Sequence, residues 1–143
     1  MPETPPPETP VSAPREQKSV VLILARELAA NIATPTLVTD AVGTMVYYNE
    51  AAEKLLGQSF RKSGELPAES WREMVSPSGV DGSEIPYEEL PLVVALTDRR
   101  PSHRPVMITG FDGVKRKLAV TSFPLIGNGG RLAGAVTIFW DLD

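Results

Sequence analysis

The sequence predicts an α+β domain, and three stretches carry that reading. Thr36 to Gly57 reads as strand, turn, strand and capped helix. The middle of the chain holds helical segments parted by Pro- and Gly-rich turns. The last third, from Ser102 onward, alternates β-prone runs with an Asp-Gly pair and a Gly-Asn-Gly-Gly turn. At 143 residues, with 42% hydrophobic and 22% charged side chains, the chain suffices for one domain with a buried core.

Met1 to Pro14 holds six of the 14 prolines, with Glu and Thr between them. Such a segment buries no surface, so a solvated tail is expected; a proline-rich ligand for a recognition domain is the other use of that composition. Arg15 to Ile32 reads as a helix. Val21, Leu24, Ala25, Leu28 and Ile32 recur at helical spacing, and Val20, Leu22 and Ile23 widen the stripe beyond one narrow face. A helix that apolar has more than one neighbour to pack against: the domain's own sheet, a second subunit, or both. Thr34-Pro35 ends it.

Thr36 to Thr39 and Thr44 to Tyr48 read as two strands joined by Asp40-Ala-Val-Gly43, where Gly43 is free to take positive φ. Asn49 is placed to cap the helix Glu50 to Leu56, and Gly57 to close it. Between Gln58 and Val75 one more short helix is expected, at Ala68 to Val75. Ser76 to Pro86 is a turn-rich loop. Tyr87 to Asp98 reads as a helix with Leu92, Val93 and Leu96 toward the core, and Pro91 inside it sets the start later. The remainder reads as three strands: Ser102 to Thr109, Val114 to Phe123 after the Phe111-Asp-Gly113 turn, and Leu132 to Trp140 after the Gly127-Asn-Gly-Gly130 turn.

The ordered set Asp40, Gly43, Val46, Asn49, Ala51, Ala52, Glu53, Leu55, Leu56, Gly57 resembles the opening of a PAS domain. Gly130 to Asp141, with Gly134, an apolar run and a terminal Asp, is similar to that family's closing strand, and Asp81 to Leu96 is similar to a subgroup of it. The likeness spans roughly Ile32 to Asp141. It implies a PAS-like α+β fold: a five-stranded antiparallel sheet with helices on one face and an N-terminal flanking helix. The expected division is a tail at 1–14, the flanking helix at 15–33 and the PAS-like domain at 34–143. It also implies a sensory or regulatory role in signal transduction through protein–protein contact. Homodimerisation through Val20, Val21, Leu24, Leu28 and Ile32 is expected. Asp141 matches the terminal Asp from which such domains relay signals. The chain stops two residues later, so the expected partner is an output domain further along a longer chain, or a signalling protein in trans.

Composition removes several function classes. Without cysteine there is no disulfide framework, thiolate metal site or thiol catalysis. The net charge of −4 argues against nucleic acid as the main partner. The basic clusters Arg99-Arg100…His103-Arg104 and Lys115-Arg116-Lys117 read as solvated strand ends. No apolar run approaches the roughly 20 residues of a membrane span. The N-terminus lacks signal-peptide character, so a cytoplasmic protein with no membrane partner is expected. No nucleophile elbow, phosphate loop or paired acid–base set is present, which argues against an enzyme and assigns no catalytic residue and no metal. Glu88 and Glu89 read as helix-opening charges.

The resemblance allows a flavin, a haem or a small metabolite inside the domain. The light-sensing relatives that use a reactive Cys are excluded by its absence. His103 stands at a strand start and reads as solvent-facing rather than as a haem ligand, while Met45, Met74 and Met107 read as gap fillers. No cofactor is expected. Leu55, Leu56, Trp71, Met74, Leu92, Leu96, Val106, Ile108, Val120 and Phe139 are the candidates to line the interior, as a solid core or around a small apolar ligand; alternation alone does not separate the two.

Overall fold

The computed structural model describes residues 20–142. The expectations for the 1–14 tail and for the helix start at Arg15 lie outside the described residues. Residues 20–30 form helix α1. Then follow β1 (Thr36–Asp40), β2 (Met45–Tyr48), α2 (Glu50–Leu56), α3 (Phe60–Ser63), α4 (Ala68–Val75), a 3-10 turn at Tyr87–Glu89, α5 (Pro91–Asp98), β3 (Ser102–Thr109), β4 (Lys115–Ile126), a 3-10 turn at Asn128–Gly130 and β5 (Leu132–Asp141). The strands make one sheet in the order β2-β1-β5-β4-β3, every neighbouring pair antiparallel.

The first hairpin turns on Asp40. Its carboxylate accepts from the amides of Val42 and Thr44, both at 3.0 Å, while Gly43 takes φ +91°. The capped helix forms as its sequence demands. The Asn49 side chain accepts from Ala52 N at 3.0 Å, and Gly57 closes α2 at φ +82°.

Side chains alternate across the sheet with period two. Leu37, Met45, Val106, Ile108, Leu118 and Phe139 face one side and pack with Leu56, Trp71, Val75, Leu92 and Val93 from the helices that follow β2. Val38 and Val46 face the other side and meet Ala29 of α1, with Leu22, Ala25, Tyr47, Leu125 and Val136 around them. Helices α2 to α5 thus share one face, and the flanking helix lies on the opposite one.

Three local expectations change. Gln58 to Ser63 contains a second short helix, α3, capped by the Ser59 hydroxyl accepting from Lys62 N at 3.2 Å. The expected helix at Tyr87 to Asp98 is split: Leu90 is extended at ψ 137°, and α5 starts at Pro91. A residue preceding proline is kept out of helical geometry, and proline suits the first helical position. Strand β4 runs on to Ile126 through Pro124, which pairs with Ala135 of β5. Its pairing with β3 ends at Ser102↔Ser122, so Pro124 sits where one flank of β4 is open and no second ladder is interrupted.

Candidate ligand cavity

Between the sheet and helices α2, α4 and α5 lies a cavity of about 100 Å³. Seven of the ten expected residues line it: Leu56, Trp71, Leu92, Val106, Ile108, Val120 and Phe139. Leu55 and Leu96 are half-buried against the same core but are not among the lining residues. Met74 is a correction. It is 44% exposed, because the buried face of α4 is Trp71 and Val75, one helical repeat apart, and Met74 rotates away from it.

The lining also includes Leu37, Met45, Val75, Pro77, Leu90, Pro91, Leu118 and Thr137. Alternation with Val120 marks Leu118. Pro77 and Leu90 come from loops, where no periodicity exists to mark them.

The wall offers a ligand almost nothing polar. The Trp71 indole N–H is spent on the Gly43 carbonyl at 2.9 Å, and the Thr137 hydroxyl on that of Ser122 at 2.7 Å. These residues fit neither a flavin nor a haem. A flavin needs room for three fused rings and polar partners for their edge. A haem needs more volume still, and the one thioether on the wall, Met45, is itself packed into the core. His103 is exposed on the other face of the sheet, its ring 6.1 Å from that of Trp140 and its Nδ1 on the Thr121 hydroxyl. Among the described residues there is no cluster of His, Asp and Glu that would hold a metal ion.

Beside the cavity, Tyr48 donates to the Gln58 carbonyl at 2.9 Å and contacts the Ser63 hydroxyl at 3.0 Å, holding α3 to β2. Burial raises its pKa above the ordinary tyrosine value. The basic clusters are in part ion-paired: Arg100 with Asp98, Arg104 with Glu89, and Arg116 with Asp112. Glu88 and Glu89 lie in the first turn of the 3-10 segment, as expected, and Glu89 also reaches Arg104 of β3.

Of the expected dimer residues, Val20, Leu24, Leu28 and Ile32 are exposed, at 54%, 64%, 66% and 38%. Val21 is half-buried beside Gly127 in the β4–β5 turn. Ile23 is exposed with them and was not among the expected residues. Asp141 ends β5, paired with Leu118 of β4. No described helix is long and apolar enough to cross a membrane.

An antiparallel sheet in the order 2-1-5-4-3, with helices enclosing an apolar cavity on one face, defines a class of α+β module. Comparison with solved structures names it: the chain has the PAS fold. It is similar to the PAS domain of a protein from Colwellia psychrerythraea, at 17% identity and TM-score 0.62 over 85% of this chain and 97% of that one. It is similar to the PAS domain of nitrogen regulation protein NR(II) from Vibrio parahaemolyticus, at 22% identity and TM-score 0.59 over 83% and 98%. It is similar as well to the LOV domain of the blue-light activated histidine kinase EL346 from Erythrobacter litoralis, at 17% identity and TM-score 0.59 over 78% and 98%. No family model and no curated protein matches the sequence.

Proposed function

We propose that this chain is a sensory or regulatory PAS domain of a signalling system, cytoplasmic and not an enzyme, acting through protein–protein contact as a homodimer. The observation that supports this most is the outer face of α1. Val20, Leu24 and Leu28 lie four residues apart, one above another, and leave large apolar side chains in water while the smaller Ala25 and Ala29 face the sheet. Burying a leucine fully is worth roughly 1.5–3 kcal/mol, so two copies of this stripe meeting would supply a stable contact. Asp141, at the end of β5, is the proposed relay to an output domain in cis or a signalling partner in trans. The division at residue 33 between flanking helix and domain is kept in this reading.

Sedimentation equilibrium tests it. The full chain should run as a dimer and the Leu24→Glu/Leu28→Glu variant as a monomer with unchanged circular dichroism. A variant that stays dimeric would remove α1 from the interface.

A second reading is supported by the cavity: the domain responds to a small apolar ligand held between sheet and helices. Its volume is somewhat below that of the roughly 150 Å³ apolar cavity known to bind benzene, which sets the size class.

A further inference from the structure

The cavity adjoins a second, more polar space. A cleft of about 520 Å³ is lined by Arg72, Ser76, Pro77, Glu84, Ile85, Pro86, Tyr87 and Leu90. Pro77 and Leu90 line both spaces, so these two residues stand between the apolar interior and the cleft.

Arg72 is held there in a particular way. Its guanidinium carbon lies 4.2 Å from the centroid of the Tyr87 ring. The cation lies over the ring, and both side chains are exposed, so its N–H donors are open to a further partner. Among the described residues Arg72 makes no ion pair and its side chain no hydrogen bond. Glu84 also lines the cleft but does not pair with it. A guanidinium carried over an aromatic ring, with its donors unused, is suited to a carboxylate, which it can meet with two parallel bonds.

Resting on the ligand reading above, we propose that the ligand is an amphiphile: a short aliphatic or single-ring apolar body in the cavity, joined to a carboxylate held by Arg72 in the cleft. The size of the cavity limits the apolar body, and its lack of free polar groups excludes a second polar substituent there. Pro77 and Leu90 separate the two spaces, so they must part to admit the middle of the molecule. Glu84 opposes the head group and tempers its affinity.

The test is a nuclear magnetic resonance titration of the full chain with hexanoate and, separately, 1-hexanol. The methyl signals of Leu92 and Leu118 report on the cavity and the ring of Tyr87 on the cleft. Hexanoate should bind about tenfold more tightly than hexanol, the worth of one charge-assisted contact. Arg72→Gln should remove that preference and leave hexanol within about twofold. Glu84→Gln should enlarge it, since a charge opposed to the carboxylate is gone. Equal affinities in the wild type, or a preference untouched by Arg72→Gln, would overturn the head-group assignment and leave the apolar cavity as a binding site. No shift of the Leu92 and Leu118 methyls with either probe would overturn the ligand reading and this inference together.

Discussion

The Asn49 side-chain amide donates to the carbonyl of Ala29 at 2.9 Å, and so ties the flanking helix to the cap of α2. The same amide nitrogen reaches the carbonyls of Thr34 at 2.9 Å and Ile32 at 3.4 Å. The side-chain oxygen meanwhile accepts from the amides of Thr36 and Ala52. One buried residue therefore joins α1, β1 and α2. Asn49→Asp separates the two halves of its work: the capping oxygen is kept, while the donor becomes an oxygen facing carbonyls. We expect a loss of about 3 kcal/mol in urea unfolding, with faster amide exchange in α1 than in α2. Equal exchange in the two helices would contradict a specific tie to α1.

Ser76 ends α4 in the left-handed region at φ +43°. Glycine adopts that conformation freely, so Ser76→Gly should raise stability by about 0.5–1 kcal/mol, after the loss of the Ser76 hydroxyl bond to Glu73 O. A thermal melt reads it directly; a lower Tm would mean that the lost bond outweighs the relieved strain.

Gly134 lies in β5 where a side chain would collide with the backbone of β1, at the Thr39 carbonyl. Gly134→Ala should therefore force the two strands apart and cost more than about 4 kcal/mol, in the range of severe backbone disruption. Gly129→Ala is the contrasting variant: no atom lies within 4 Å of an added methyl, and its cost comes from the left-handed conformation at φ +72° alone. Comparable losses at the two sites, measured by denaturant midpoints, would remove the steric argument.

The raised pKa of Tyr48 makes stability fall on the alkaline side. The folded state holds the phenol proton to higher pH than the unfolded chain does. The contribution is therefore complete below pH 10 and is lost as pH climbs through the folded-state value. Tyr48→Phe should flatten the stability profile above pH 10 while costing about 1 kcal/mol at neutral pH for the bond to Gln58 O. An unchanged alkaline slope would assign that slope to other groups.

Elements whose signal is local were legible in the sequence. Asp40, Gly43 and Gly57, and Asn49 in its capping bond to Ala52, act through atoms a few residues away, so turn and cap chemistry suffices to place β1, β2 and α2. The Asn49 bonds to α1 carry no such local signal. Facing was not legible where apolar residues are dense. In α1 the sheet is met by Leu22, Ala25 and Ala29, because small side chains let a helix approach β1 and β5 closely; Leu24 and Leu28 point outward. Size-weighted periodicity picks out the leucines without saying which neighbour they meet. The same loss of phase put Met74 rather than Val75 in the cavity wall. The cleft beside Arg72 had no signal at all, since it exists only where the loops at Pro77 and Pro86 come together.

Strand β1 sits in the sheet between β2, its neighbour in sequence, and β5, roughly 100 residues further on. On a ribosome, β1 and β2 emerge early and the cavity-lining helices soon after. The place beside β1 stays empty until nearly the whole domain has been synthesised. The ladder from Thr36↔Ile138 to Asp40↔Gly134 is then among the last contacts to form, and each partly made chain carries an open hydrogen-bonding edge beside exposed Leu37 and Val38. Slow, late-closing assembly with an interval of aggregation risk is thus built into the strand order, and a nascent chain has reason to engage a chaperone before its C-terminal strand arrives.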